Sequence, residues 1–86
     1  MENKQLLIFI SIDKILWNDW DPIGVNQISE VRDEYQTYVP GIYELKRKNA
    51  SIEVLAERLI EIETYRMGLD GDIDKCRAVA QKIIEL

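Results

Sequence analysis

The longest uninterrupted apolar run in this chain, Leu6 to Ile10, continues at helical spacing into two tryptophans and then meets an Asp-Pro-Ile-Gly turn. The stretch Trp17-Asn18-Asp19-Trp20-Asp21-Pro22-Ile23-Gly24-Val25-Asn26 ends the first element and sets the two largest side chains beside carboxylates. Upstream of it, Ile8, Ile12, Ile15 and Leu16 recur at three and four, with Phe9 and Trp20 extending the stripe. That spacing predicts a helix from about Lys4 to Asn18, with Asn3 as its N-cap. A strand over the isoleucine-rich Leu6 to Ile12 is the competing reading. It fails at Asp13-Lys14, because Ile15-Leu16 then restores the 3.6-residue period and breaks the alternation a strand needs. Pro22 pushes the residue before it out of the α region. Gly24 supplies a positive φ at no steric cost, so the chain is expected to reverse between Asp21 and Asn26.

Asn26 or Ser29 can cap a second helix whose first turn holds Glu30, Asp33 and Glu34. Val31, Tyr35, Tyr38, Ile42 and Leu45 then follow at spacings of four, three, four and three. Pro40-Gly41 interrupts that seam. A hairpin at Pro-Gly has the wrong turn handedness for twisted strands, and two isolated strands would be marginal. A second helix kinked or split near Pro40 fits better, because proline removes an N–H and crowds the carbonyl of Gln36. After the short Asn49-Ala50 connection, Ser51 caps a third helix with apolar positions Ile52, Leu55, Ala56, Leu59, Ile62 and then Tyr65 or Arg66. Gly68 and Leu69 suit the last two positions of a Schellman ending. Asp72 caps a fourth helix whose inward face is Ile73, Cys76, Val79, Ala80 and Ile83. The sequence thus predicts an all-α protein: one small four-helix bundle-like domain over residues 1–86, its second helix kinked or split near Pro40.

Several chemistries are excluded by what the chain lacks. It contains no histidine, which removes the usual general base near neutral pH and every imidazole-dependent zinc site or nucleophile dyad. The lone Cys76 allows no intrachain disulfide and no thiolate metal cage, and on an apolar helix face it reads as a buried structural thiol. No cofactor and no catalytic residue is expected, and the expected compartment is a reducing cytoplasm. The apolar runs fall far short of the roughly 18 residues a spanning helix needs, and Met1-Glu2-Asn3-Lys4 does not open a secretory signal. Of the net charge of -5, all resides in the first 45 residues, where eight acids face only Lys4, Lys14 and Arg32. The one basic cluster, Lys46-Arg47-Lys48, falls where a helix C-terminus attracts cations, so nucleic acid is not an expected partner.

Two constellations carry functional readings. Asp19, Asp21, Asp33 and Glu34 read either as caps of helix ends or as a hard-cation site. A calcium loop with acids at alternate positions is absent, and Asp70-Gly71-Asp72-Ile73-Asp74 lacks the closing glutamate, so no metal is expected. Five of the seven aromatics lie between residues 17 and 43, the acidic half. Trp17 and Trp20 are either core residues or, if one is exposed, the anchor of a protein interface. The acidic row Glu53, Glu57 and Glu61 on the third helix is a solvated face or a contact for a basic partner. These residues point to a non-enzymatic protein-interaction module, docking a basic partner through Trp17, Asp19, Trp20 and Asp21 with Asp33, Glu34 and Tyr38 alongside. The alternative is a structural homodimer, because Leu6, Leu7, Ile8, Phe9 and Ile10 are apolar nearly all round the first helix.

The strings Trp20-Asp21-Pro22-Ile23-Gly24-Val25, Asp33-Glu34-Tyr35 and Met67-Gly68-Leu69 resemble the YugE-like family of small uncharacterised bacterial proteins. The resemblance spans most of the chain. It implies a compact helical domain of bacterial, cytoplasmic origin and brings no activity, substrate or cofactor with it.

Overall fold

In the computed structural model, which describes residues 3–22, 24 and 32–86, the first helix does not close on an ordinary last turn. Helix α1 (Asn3–Ile15) widens into a π turn over Leu16–Trp20, closed by the Asp21 N–H donating to the Leu16 carbonyl at 3.1 Å. Asp21, at φ 28° and ψ 61°, leaves the right-handed helical region immediately before Pro22, although not for the extended conformation that pre-proline residues favour. Asn3 is helical and lies within α1, so it is not its cap. The capping expected of Asn26 or Ser29, and the contributions of Glu30 and Val31, lie outside the described residues.

The second helix is split rather than kinked. A short α2 (Arg32–Gln36) ends at the residue whose carbonyl a continuous helix would drive into the Pro40 ring, and α3 (Val39–Arg47) restarts after it. Pro40 therefore occupies the first turn of α3, where its missing N–H has no intrahelical partner to lose. Helix α3 ends in a Schellman motif built on asparagine. Asn49, at φ 60°, donates to the Lys46 carbonyl at 3.0 Å, and the Ala50 N–H reaches the Leu45 carbonyl at 3.0 Å.

Helix α4 (Ile52–Glu61) begins at Ser51, whose side chain accepts from the Val54 N–H at 3.2 Å, a cap worth about 1 kcal/mol. It too passes into a π turn, Ile62–Arg66, closed by the Met67 N–H on the Ile62 carbonyl. Gly68, at φ 67°, then lets the Leu69 N–H fold back on the Glu63 carbonyl at 2.8 Å. The expected glycine ending is present, widened by one residue because the turn before it is π. Helix α5 (Ile73–Ile84) is capped by Asp72, which accepts from the Lys75 N–H at 3.0 Å.

No strand occurs among the described residues, and the architecture is an all-α bundle. Helix α4 runs along α5, while α1 packs on α3 and α5, and the π turn of α1 meets α2 and α5. The core is continuous: Ile12, Leu16, Trp20, Tyr35, Ile42, Leu55, Leu59, Ile62, Cys76 and Ile83 are fully or almost fully buried. Two expected core positions are not in it. Ile73 is 64% exposed and Tyr65 is 88% exposed, with Arg66 exposed beside it. The π turn explains Tyr65, because the wider turn delays the helical period and brings Glu63 inward where Tyr65 or Arg66 was expected. Lys46 fastens the far end of α5 by donating to the Ile84 carbonyl at 2.8 Å.

Candidate functional site

The aromatic surface expected around the first turn is turned inside out. Trp20 is completely buried and Trp17 is 7% exposed, so neither offers an anchor to a partner. Both pack edge-on or tilted against Tyr35 with ring centroids 5.5 Å apart, and Trp20 stacks edge-on to Tyr38 at 6.1 Å. Trp20 continues the helical stripe of Ile12 and Leu16 into the π turn, where Leu16, Trp17 and Trp20 are all buried. Ring area of this size stabilises far more in the core than at the surface of a small domain.

The acids predicted to accompany the tryptophans are largely engaged within the fold. Asp19 pairs with Lys82 of α5 at 3.2 Å, and both remain exposed, so the pair contributes little. Asp21 accepts from the Tyr35 hydroxyl at 2.7 Å, while its carbonyl accepts from the Lys75 ammonium at 3.4 Å. The Tyr38 hydroxyl donates to Glu34 at 3.3 Å, and burial, reinforced by the Glu34 carboxylate, pushes that hydroxyl above its ordinary pKa. Asp33 and Glu34 stay exposed on α2. No three His, Cys, Asp or Glu side chains converge on a possible ion site among the described residues.

A buried polar knot joins the two π turns. Glu63 is only 2% exposed, yet its carboxyl group accepts three hydrogen bonds. The Trp20 indole N–H donates to Oε2 at 2.7 Å, the Cys76 thiol donates to the same oxygen at 2.8 Å, and the Asp72 backbone N–H donates to Oε1 at 2.9 Å. Helices α1, α4 and α5 thereby meet on one carboxyl group beside the capped start of α5. Burial, reinforced by Glu63, pushes the Cys76 thiol up to about 12, which keeps it protonated and unreactive. Three donors on one buried carboxyl group make the knot a fastening between helices. An open cleft of about 240 Å3 lined by Pro22, Glu63, Gly71 and Lys75 lies against it.

The larger recess is elsewhere, along the α4–α5 seam. It is an open cleft of about 450 Å3 with Ala56, Ile60 and Ile73 as its apolar lining and Tyr65 at one end. Glu53, Glu57 and Glu61, the acidic row of α4, run along it. Arg77 of α5 reaches across to Glu53 at 3.3 Å, and Arg58 contacts Glu61 at 3.4 Å from the same helix. The Glu53 backbone N–H and then Arg77 hold the Glu53 carboxyl below its usual range. Glu57 forms no ion pair among the described residues and is exposed in the middle of the row.

Sequence reasoning identified the acidic row but not the groove. Its apolar lining depends on Ile73 and Tyr65, which helical periodicity assigned to the core. No helix among the described residues is long and apolar enough to cross a membrane. The chain matches no family model, no curated protein and no solved structure.

Proposed function

We propose that the protein is a non-enzymatic interaction module whose α4–α5 groove docks a basic, amphipathic segment of a protein partner. The observation that carries this reading is the pairing of an apolar recess of about 450 Å3 with an acidic edge. Exposed apolar side chains rimmed by like charge mark protein contacts more often than catalytic clefts, and an amphipathic helix is the ligand such grooves take. The expected partner chemistry is thus kept, while its docking surface moves from the first turn to α4 and α5. A non-enzymatic role agrees with the absence of histidine and with the thiol of Cys76 being held protonated. A reducing cytoplasm suits that lone thiol, and the resemblance to YugE-like bacterial proteins is compatible with such a role.

The test is titration of a labelled leucine–lysine helical peptide into the protein, beside a leucine–glutamate peptide of the same apolar pattern. The lysine peptide should bind, the glutamate peptide should not, and added salt should weaken the complex. Glu57→Lys and Tyr65→Ala should each reduce binding. Asp33→Lys with Glu34→Lys, which shifts net charge further than Glu57→Lys, should reduce it less. Equal loss from the two surfaces would mean attraction to overall charge and would remove the groove as the site.

A further inference from the structure

We infer that the groove is filled by a second copy of this chain, seated through the outward face of its α1. The inference rests on the groove being a docking site, and it names the occupant. Helix α1 turns Ile8, Phe9, Ile12 and Ile15 toward the fold and leaves a second apolar strip outside: Leu6 and Ile10 at 46% and 40% exposed, and Leu7 at 65%. Leu7, Ile10 and Lys14 lie three and four residues apart, so they form one continuous line along the helix. Lys4 and Lys14 are both exposed at the two ends of that strip. The outward face of α1 is therefore an apolar helical strip flanked by lysines, the ligand chemistry that suits a groove lined with Ile60 and Ile73 and edged by Glu53, Glu57 and Glu61.

Both faces are unusual for an isolated monomer of this size. A chain with a net charge of -5 has its lysine-flanked apolar strip on α1, while its acidic apolar recess is on α4 and α5. Opposite charges on two separate patches favour contact between copies over burial of either patch against itself. Helix α1 packs mainly on α3 and α5 within the fold, which leaves its outer strip and the groove both open at once. Two copies can close the pairing about a two-fold axis, each giving its α1 to the other's groove.

The test uses the full chain and two uncharged double variants at exposed positions, so that neither folding nor net charge is disturbed. Leu7→Gln with Ile10→Gln removes the α1 strip, and Tyr65→Gln with Ile73→Gln removes the groove. Circular dichroism first confirms native helicity in both. Sedimentation equilibrium should then show concentration-dependent dimers of the unaltered chain, weakened roughly tenfold or more in each variant alone. An equimolar mixture of the variants retains one intact α1–groove contact and should recover association. A mixture that stays monomeric, or a variant that associates as tightly as the unaltered chain, overturns the pairing. An unaltered chain that is monomeric throughout also overturns it. If the leucine–lysine peptide still binds that monomer, the groove remains a docking site with a different occupant; if it does not, both readings fall.

Discussion

The Trp20 indole donates a 2.7 Å hydrogen bond to the carboxyl group of Glu63, across 43 residues of sequence and between two buried side chains. The Cys76 thiol and the Asp72 backbone N–H complete the acceptor's surroundings, so deleting the carboxyl group would strand three donors at once. Glu63→Ala should destabilise the fold by about 2–5 kcal/mol, the cost of unpaired buried polar groups and a cavity. Glu63→Gln should cost less, because its amide oxygen can still serve Trp20 while its NH2 opposes the Asp72 donor. Trp20→Phe should lose the hydrogen bond plus part of the ring packing. Urea denaturation gives the order. If Glu63→Ala stays within about 0.5 kcal/mol of the unaltered chain, the knot holds nothing together.

Gly24 adopts φ 73° and donates its N–H to the Asp21 carbonyl at 3.1 Å, and among the described residues none beyond its chain neighbours comes within 4 Å of where a Cβ would stand. The positive φ is the constraint the described residues place on substitution. Gly24→Val should cost about 1–3 kcal/mol, and Gly24→Asn should be milder because asparagine tolerates the left-handed region. Chemical denaturation of the pair decides it, and equal losses would show that φ is not the reason for glycine here.

Cys76 should resist alkylation in the folded protein at pH 8 and react fully once the chain is unfolded. Its folded pKa of about 12 lies above the roughly 8.5 of an exposed thiol. Between those values the native state holds a proton that the unfolded state releases, so this group's contribution is fully present below about pH 8.5 and falls as pH rises toward 12. Comparing the alkaline stability profile with that of Cys76→Ala isolates the effect. Profiles of equal slope would place the thiol outside the native proton balance.

Pro40→Ala tests the split helix. In the first turn of α3 the proline ring costs no hydrogen bond, so alanine should leave the helix content unchanged. Stability should fall by about 0.4–1 kcal/mol through the freer unfolded chain. A gain in stability, with α2 and α3 fusing into more helix by circular dichroism, would mean that the proline imposes the break at a net cost.

Capping residues make much of this fold legible in the sequence. Ser51 and Asp72 accept the hydrogen bonds expected of N-caps, and Gly68 takes the left-handed turn foreseen for it. These features depend on one or two residues whose local chemistry permits few alternatives. The interior was less legible because a stripe read at 3.6 residues per turn continues in phase, whereas both α1 and α4 end in wider turns. That difference hid Glu63 among apolar residues and exposed Tyr65, while Trp17 and Trp20, for which the sequence left core and interface both open, are buried. The groove was hidden for the same reason, although the row of Glu53, Glu57 and Glu61 beside it was plain in the sequence.

The wide turns also bear on how this chain could be compared with others. A hydrogen bond that spans five residues instead of four encloses one residue more than an α-turn does. Each of the segments ending at Trp20 and Arg66 therefore carries a surplus position, and a chain shorter by one residue in either place could form an uninterrupted α-helix there. Deleting Thr64, for example, would bring the Met67 N–H to four residues from the Ile62 carbonyl, an ordinary α-helical bond, and leave Met67, Gly68 and Leu69 where they end the helix. Relatives should therefore be recognised by whether they keep the distance from Trp20 to its acceptor, even where the letters between have changed.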